Sequence, residues 1–222
     1  MIECKSIIKK YGERTVLDIP SLKIEKGERV ALTGSNGSGK STLLKIISGI
    51  IPFEGELSTE GKLLYMPQKN IPFDMTVLSN VTFSMTGKRK EKEEKAFEAL
   101  KKTGLDALYK KNACVLSGGE QARLALARIL VLHCDILLLD EPTGAVDIEA
   151  EELIEKIISD YINEKNRTLI LSTHSPLQAK RLTDKVLMLD KGKIAEDSSS
   201  EEFIHSPKTQ FGKKFIDMWR VF

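Results

Sequence analysis

The sequence carries a glycine-rich loop that reads Gly34-Ser35-Asn36-Gly37-Ser38-Gly39-Lys40-Ser41. This loop fits the pattern G-x-x-x-x-G-K-[ST] at every fixed position. The apolar run Arg29–Thr33 before it predicts a buried strand, and the apolar spacing over residues 43–50 after it predicts a helix. A strand, this loop and a helix in that order predict a site where successive backbone amides bind phosphate.

Two side chains of the loop suit the same ligand. Lys40 supplies a positive charge for the β- and γ-phosphates of a nucleotide, and the Ser41 hydroxyl is a suitable ligand for Mg²⁺. The structural alternative is a glycine-rich turn with an accidental lysine. The complete pattern in its strand-to-helix context disfavours that alternative.

A carboxylate for the metal follows a second apolar run. Residues 136–141 read Ile-Leu-Leu-Leu-Asp-Glu, so Asp140 and Glu141 end a predicted strand at the edge where parallel sheets expose ligand sites. We expect Asp140 to serve the metal and Glu141 to orient or deprotonate an attacking water. Acids that merely end a strand are common, but the phosphate loop independently requires such a group.

A second glycine-containing motif begins a helix. Leu116–Gln121 places Ser117 as a helix N-cap, followed by Gly118 and Gly119. Amides at this helix N-terminus form a second anion-binding surface, although the same residues also fit a merely flexible helix start. One phosphate tail seldom needs two amide cradles from one chain, so the ligand of the second cradle needs an explanation.

The remaining pattern predicts alternating strands and helices. Short β-rich runs predict strands at Ile2–Ile8, Thr15–Ile19 and Leu22–Ile24, and a hairpin at Gly55–Ser58 and Lys62–Met66. Helical patterns dominate between Thr76 and Leu132. Later strands are predicted at Ile136–Leu139, Thr168–Ser172 and Lys185–Leu189, with helices at residues 153–162 and Pro176–Thr183. The sequence thus predicts an α/β core with a helical insertion and a β-rich N-terminal portion.

Composition limits the function. The 222 residues include 34 Lys and Arg against 32 Asp and Glu, and the net charge of +2 argues against a nucleic-acid-binding protein. No apolar run approaches the ~20 residues of a membrane-spanning helix. The 3 cysteines suggest neither a disulfide framework nor a zinc site. These features predict a soluble, intracellular protein.

Taken in order, the motifs resemble those of the ATP-binding-cassette (ABC) ATPases over nearly the whole chain. The matching segments are Walker A at Gly34–Ser41, the Q-loop at Gln68, the signature motif at Leu116–Gln121, Walker B at Ile136–Glu141, the D-loop at Gly144–Asp147 and the switch histidine at His174. The resemblance implies one ABC ATPase domain over residues 1–222. It implies an α/β fold, with a P-loop NTPase core and N-terminal antiparallel β subdomain (1–70 and 133–222) and an inserted α-helical subdomain (71–132).

The resemblance also implies ATP and Mg²⁺ as cofactors. The residues expected to bind ATP are Tyr11, which would stack on adenine, Gly34, Ser35, Asn36, Gly37, Ser38, Gly39, Lys40, Ser41 and Thr42, with Ser117, Gly118 and Gly119. The expected metal ligands are Ser41, Gln68 and Asp140, and the expected catalytic residues are Glu141, His174 and Gln68. Without the resemblance, His174 would be interpreted more readily as a structural residue.

A head-to-tail dimer accounts for the second cradle. In the family, the signature motif of one subunit completes the Walker A site of the other, so Ser117 and Gly119 would contact the γ-phosphate in a second copy of the chain. Gly144 and Val146 depart from the usual D-loop residues and are expected to loosen packing across that dimer slightly. Hydrolysis is not put in doubt, because Asp147, Glu141 and His174 are all present.

The resemblance predicts the ATP-hydrolysing subunit of a membrane transporter. We expect separate transmembrane permease subunits, a solute-binding protein if the system imports, and a cytoplasmic position on the inner face of the cell membrane. Residues 178–184 with Glu201–Phe203 and Pro207 resemble importers of inorganic oxyanions such as tungstate, molybdate or phosphate. Importers or exporters of other small solutes, amino-acid importers included, remain alternatives. So do non-transport ABC ATPases that act on ribosomes or chromosomes, whereas the signature motif and Gln68 disfavour a P-loop kinase or GTPase.

Overall fold

Two strands that are buried along their whole length lie next to each other in the larger sheet. The computed structural model describes residues 1–144 and 146–219, and in it Ile136–Asp140 and Thr168–Ser172 are buried at every position. Continuous apolar runs of this kind are typical of parallel strands that are covered on both faces. They are therefore the strands around which the sheet is built.

The strands and helices alternate along most of the chain. The strands are β1 (Ile2–Tyr11), β2 (Arg14–Ile24), β3 (Arg29–Thr33), β4 (Glu54–Thr59), β5 (Leu63–Met66), β6 (Ile136–Asp140), β7 (Thr168–Ser172), β8 (Lys185–Asp190) and β9 (Lys193–Ser199). The helices are α1 (Lys40–Ile47), α2 (Val77–Thr82), α3 (Arg89–Lys102), α4 (Gly118–Leu130), α5 (Ile148–Asn163), α6 (Pro176–Leu182), α7 (Ser200–His205) and α8 (Gln210–Asp217). Within the described residues, no helix is long and apolar enough to cross a membrane.

The strands form two sheets. One is three-stranded and antiparallel in the order β2-β1-β4, and the other has the order β5-β6-β7-β3-β8-β9. In the larger sheet β6, β7, β3 and β8 pair in parallel, and β9 pairs antiparallel with β8. The α/β fold with an antiparallel β subdomain and added helices is therefore confirmed.

Residue contacts divide the chain into two compact units. Unit 1 consists of Met1–Tyr65, Asp135–Glu141 and Asn166–Phe222, and unit 2 of Met66–Cys134 and Pro142–Lys165. The core of unit 1 joins apolar residues of the small sheet, of α1 and of the central strands, including Ile7, Leu44 and Leu138. The core of unit 2 joins α2, α3 and α4, with Val81, Leu100 and Leu124 among its residues.

The contact-based division differs from the expected subdomain boundaries at residues 66–70, 133–134 and 142–165. Residues 142–165, which the sequence placed with the core, belong to the unit that contains the helical insertion. The reason is visible in α5, where the Tyr161 hydroxyl donates to the carbonyl of Leu132, 2.8 Å away. The subdomain boundaries at residues 71 and 132 stay a prediction.

The predicted hairpin over residues 55–66 is wrong. β4 pairs antiparallel with β1, whereas β5 lies beside β6 in the other sheet. The amide of Asp135 donates to the carbonyl of Lys62, and the Asp135 carboxylate accepts from the amide of Lys62, both at 2.8 Å. These long-range bonds hold β5 against the segment before β6, so the two short runs separate at Gly61.

The structure joins two strands that the sequence predicted separately. β2 runs without a break through Pro20, which is exposed. Because β2 is the edge strand of its sheet, the missing amide of a proline leaves no partner unsatisfied. The strand β9 and the helices α7 and α8 were not predicted.

Candidate functional site

The functional segments lie at the carboxyl ends of neighbouring parallel strands. β7 lies between β6 and β3 in the sheet. The glycine-rich loop follows β3, Glu141 follows β6, and His174 comes two residues after β7. Carboxyl ends of parallel strands meet at one edge of a sheet, which is where such folds bind their ligands. This edge belongs entirely to unit 1.

The backbone of the loop requires glycine at particular positions. Gly34, Gly37 and Gly39 have φ angles of 133°, 75° and 111°. A Cβ atom on Gly34 would lie 2.2 Å from the carbonyl oxygen of Leu189, and one on Gly39 would lie 2.5 Å from Cδ2 of Leu17. The loop can therefore wrap as it does only without side chains at these two positions.

Two buried polar groups in and beside the loop are suited to bind an anion. Within the described residues, the buried Ser38 hydroxyl has no hydrogen-bond partner. The buried Lys40 ammonium donates to the carbonyls of Gly34 and Ser35, at 3.0 and 3.2 Å. Burial lowers the pKa of Lys40, while the carboxylates of Glu141 and Asp140 oppose that shift. A buried cation and an unsatisfied hydroxyl beside glycine amides fit the phosphate groups of a nucleotide.

The first residues of α1 face an acid at the end of β6. The Ser41 hydroxyl donates to Oδ1 of Asp140, and the oxygen atoms are 3.0 Å apart. Hydroxyl and carboxylate oxygens are the ligands that Mg²⁺ prefers, usually together with phosphate oxygens and waters. The donor set present here therefore fits a magnesium ion bound with a nucleotide.

Glu141 and His174 form the second polar pair of the edge. Oε1 of Glu141 lies 2.6 Å from Nε2 of His174, and the two side chains are 15% and 36% exposed. Glu141 has a φ angle of 48°, an uncommon conformation for a residue with a side chain. The pair is thus close enough to hydrogen-bond, and both side chains are open to a small ligand or water.

The other residues predicted to bind ATP or the metal lie on different structural elements. Thr42 lies in α1, and Tyr11 ends β1 with 55% of its surface exposed. The ammonium of Lys9 lies 5.0 Å from the centre of the Tyr11 ring. Gln68 is exposed, follows β5 and belongs to unit 2.

The signature segment lies at the start of α4 in unit 2. Ser117 caps this helix in a capping box, in which its hydroxyl accepts from the amide of Glu120 and its amide donates to the Glu120 carboxylate. The predicted N-cap at Ser117 is therefore confirmed, and Gly118 is exposed at the helix end. A Cβ atom on Gly119 would lie 3.6 Å from Val146 of the predicted D-loop. Ala145 of that loop lies outside the described residues.

Two residues that the sequence reasoning missed bind Asp140. The Ser172 hydroxyl donates to Oδ1 at 2.6 Å, and the Tyr65 hydroxyl donates to Oδ2 at 3.3 Å. Ser172 is the register partner of Asp140 across β6 and β7. That register is not visible in the sequence, so only a correct pairing of the two strands would have identified Ser172.

The chain is similar to several known proteins. A protein-family model described as ABC transporter matches residues 17–144. The tungstate uptake system ATP-binding protein TupC of Peptoclostridium acidaminophilum is 38% identical over 88% of this chain and 97% of its own length. The sulfate/thiosulfate import ATP-binding protein CysA of Bradyrhizobium diazoefficiens is 36% identical over 97% of this chain and 68% of its own length. A dimeric structure of the ATP-binding cassette MJ0796, in a post-hydrolysis state with ADP and Pi, has a TM-score of 0.83 and 27% identity, covering 90% of this chain and 99% of that one.

Proposed function

Because the chain belongs to the ABC transporter family and is an ATP-binding, ATP-hydrolysing subunit of that family, we propose that it powers the import of an inorganic oxyanion of the tungstate type through separate membrane subunits. The observation that carries this proposal is the 38% identity to the tungstate uptake protein, which extends over 97% of that protein's length. The geometry of the carboxyl edge supports a hydrolysis mechanism for the same chain.

The phosphate loop and Asp140 hold the nucleotide in this mechanism. Amides of Gly34–Gly39 and the first turn of α1 bind the phosphate oxygens, and the Lys40 ammonium exchanges its carbonyl partners for the β- and γ-phosphates. Ser41 and Asp140 would hold Mg²⁺, and the resemblance to the family implies Gln68 as a further ligand. When bound, that ion neutralises charge on the transferred phosphoryl group. Tyr11 stacks on the adenine ring, which its exposed position permits.

Glu141 and His174 act on the attacking water. The Glu141 carboxylate accepts a proton from the water, and His174 holds the carboxylate in place through the 2.6 Å contact between Nε2 and Oε1. A general base must lie within hydrogen-bond reach of its proton, and the partly exposed side chains of the pair meet that condition at the open edge of the sheet.

A second copy of the chain completes the site. Ser117, Gly118 and Gly119 present the N-terminus of α4, whose first amides have no acceptor within the helix. Val115 and Ile148 flank the signature and D-loop segments and are 73% and 76% exposed. Apolar side chains exposed to that degree beside two functional motifs support an interface between copies of the chain.

Unit 2 also carries an exposed apolar surface that suits a membrane subunit. Ile71, Phe73 and Phe83 are 67%, 38% and 63% exposed, and the two phenylalanine rings lie 4.8 Å apart. The guanidinium of Arg128 lies 4.6 Å from the centre of the Phe73 ring. A cluster of aromatic rings and an arginine is typical of protein-binding surfaces. We propose that this surface binds a permease subunit, with the chain on the inner face of the cell membrane and a solute-binding protein as a further component of the importer.

The dimer is tested with the Ser117→Arg variant. The added side chain at the exposed end of α4 should block association while the Walker A loop still binds ATP. Light scattering should show that the Glu141→Gln variant forms a dimer with ATP. The double variant with Glu141→Gln and Ser117→Arg should remain monomeric with ATP. An ATP-dependent dimer of the doubly substituted chain would contradict the proposed role of the signature motif.

The transported solute is tested by uptake in cells that lack the chain. Tungstate, molybdate and sulfate are supplied separately, and cellular tungsten, molybdenum and sulfur are measured with the parent chain or Glu141→Gln restored. The proposal expects tungstate uptake to fall without the chain and to return only with the parent. A loss of sulfate uptake alone would refute the tungstate assignment, and unchanged uptake of all three anions would refute oxyanion import.

A further inference from the structure

Ser172 has a buried hydroxyl that contacts both acids at the end of β6. Its side chain is fully buried, and its Oγ atom donates to Oδ1 of Asp140 at 2.6 Å. The same oxygen accepts from the backbone amide of Glu141 at 2.9 Å. One hydroxyl therefore links the side chain of Asp140 to the backbone of Glu141.

The backbone of Glu141 needs such a link. Its φ angle of 48° lies in the left-handed region, which is unfavourable for a residue with a side chain. The Glu141 amide donates to two acceptors of Ser172, Oγ at 2.9 Å and the carbonyl oxygen at 3.2 Å. The strained conformation directs the Glu141 side chain to His174, so the position of that carboxylate depends on the bonds to Ser172.

Asp140 is fixed by several hydroxyl groups at once. Ser41 and Ser172 both donate to Oδ1, and Tyr65 donates to Oδ2. If Ser41 turns from Asp140 toward a nucleotide and its metal, Ser172 and Tyr65 still orient the carboxylate.

We propose that Ser172 is a positioning residue for ATP hydrolysis, whose hydroxyl sets the orientation of Glu141 relative to Asp140. This inference rests on the roles proposed above for the two acids. Loss of the hydroxyl displaces the general base without touching the loop that binds phosphate. The expected result is a lower kcat at nearly unchanged affinity for ATP, because misplacing a reacting group by a fraction of an ångström lowers the rate steeply.

Two variants of equal shape isolate the hydroxyl. Ser172→Thr retains it, whereas Ser172→Val replaces it with a methyl group of the same size. We expect kcat of Ser172→Val to fall about ten- to a hundredfold, with KM for ATP within about twofold of the parent. Ser172→Thr should recover kcat to within about threefold of the parent. Equal kcat values for the two variants, whether high or low, would overturn the inference.

The matched control lies on the same strand. Thr168 is also buried, and its hydroxyl accepts from the amide of Gly27 at 2.9 Å, at the end of β7 away from the acids. Thr168→Val removes a comparable hydrogen bond, so it should lower the unfolding midpoint without lowering kcat. If Thr168→Val lowers kcat as much as Ser172→Val, the effect of Ser172 is merely structural.

A measurement without nucleotide gives an independent result. Hydrogen exchange at the Glu141 amide should accelerate in Ser172→Val but not in Ser172→Thr, because only the valine variant lacks the Oγ acceptor. Unchanged exchange in Ser172→Val would overturn the inference. Should the larger side chains prevent folding, Ser172→Ala takes the place of Ser172→Val, and its kcat must fall by more than that of Thr168→Val.

The Glu141→Gln variant separates failure of this inference from failure of the proposed mechanism. If Glu141→Gln hydrolyses ATP at the parent rate, the role proposed for Glu141 fails, whatever Ser172 does. If Glu141→Gln is inactive but Ser172→Val keeps the parent kcat, only the inference about Ser172 fails.

Discussion

Gly34→Ala is the substitution that the geometry of the loop forbids most strongly. A Cβ atom there would lie 2.2 Å from the carbonyl oxygen of Leu189, a backbone atom of β8 that cannot rotate away. Its φ angle of 133° is also unfavourable for alanine. Backbone strain costs about 1–3 kcal/mol, and overpacking costs about 1–3 kcal/mol more. We therefore expect Gly34→Ala to lower the free energy of unfolding by about 2–6 kcal/mol.

Gly37→Ala is the matched control in the same loop. Its φ angle of 75° is also positive, but no other described atom lies within 4 Å of the Cβ position. For Gly37→Ala only the cost of the positive φ angle remains, which is about 1–2 kcal/mol of unfolding free energy. Urea unfolding followed by circular dichroism measures the loss in free energy of unfolding for both variants. Calorimetric titration with ATP should show weaker binding by Gly34→Ala. Equal losses for the two variants, or a stable Gly34→Ala chain, would refute the reasoning.

Two further predictions concern Lys40 and the capping box. Lys40→Ala should weaken ATP binding at least about tenfold, whereas Lys45→Ala in the same helix should leave it unchanged. Equal ATP affinities of the two variants, measured by calorimetry, would contradict the role of Lys40 in phosphate binding. The pKa of Glu120 lies below its usual value, chiefly because the Ser117 amide donates to its carboxylate. The ionised Glu120 carboxylate therefore stabilises the folded chain fully above the pKa of about 4.3 that glutamate has in the unfolded chain. This stabilisation disappears as the pH falls through the lower pKa of Glu120 in the folded chain. Glu120→Gln should be less stable than the parent near neutral pH and equally stable in acid, and a difference that is constant with pH would exclude this origin.

Local sequence signals predicted most of the site. The loop pattern predicted the phosphate cradle, and Ser117 as an N-cap predicted the start of α4, because both signals depend only on neighbours in the chain. The run ending in Asp140 was identified as a buried strand for the same reason. The roles of Tyr11, Gln68 and His174 came from the resemblance to the family and remain predictions.

Strand pairing was not predictable from local pattern. The runs at residues 55–58 and 62–66 fit a hairpin by spacing, yet their partners are β1 and β6, which lie far away in the sequence. Short apolar runs specify a strand but not its partner, because pairing depends on tertiary packing. Gly192 was a usable sequence signal for the turn before β9, because glycine marks turns. In the structure both Lys191 and Gly192 have positive φ angles. The roles of Ser172 and Tyr65 depend on such pairing and could not be inferred beforehand.

The central claim is that Glu141 is the base for ATP hydrolysis at this carboxyl edge. It is tested most directly by measuring phosphate release from ATP by the parent and by Glu141→Gln, with ATP affinity determined on the same samples. The account predicts that Glu141→Gln binds ATP as tightly as the parent and releases phosphate at least about a hundredfold more slowly. Phosphate release at the parent rate by Glu141→Gln would contradict it.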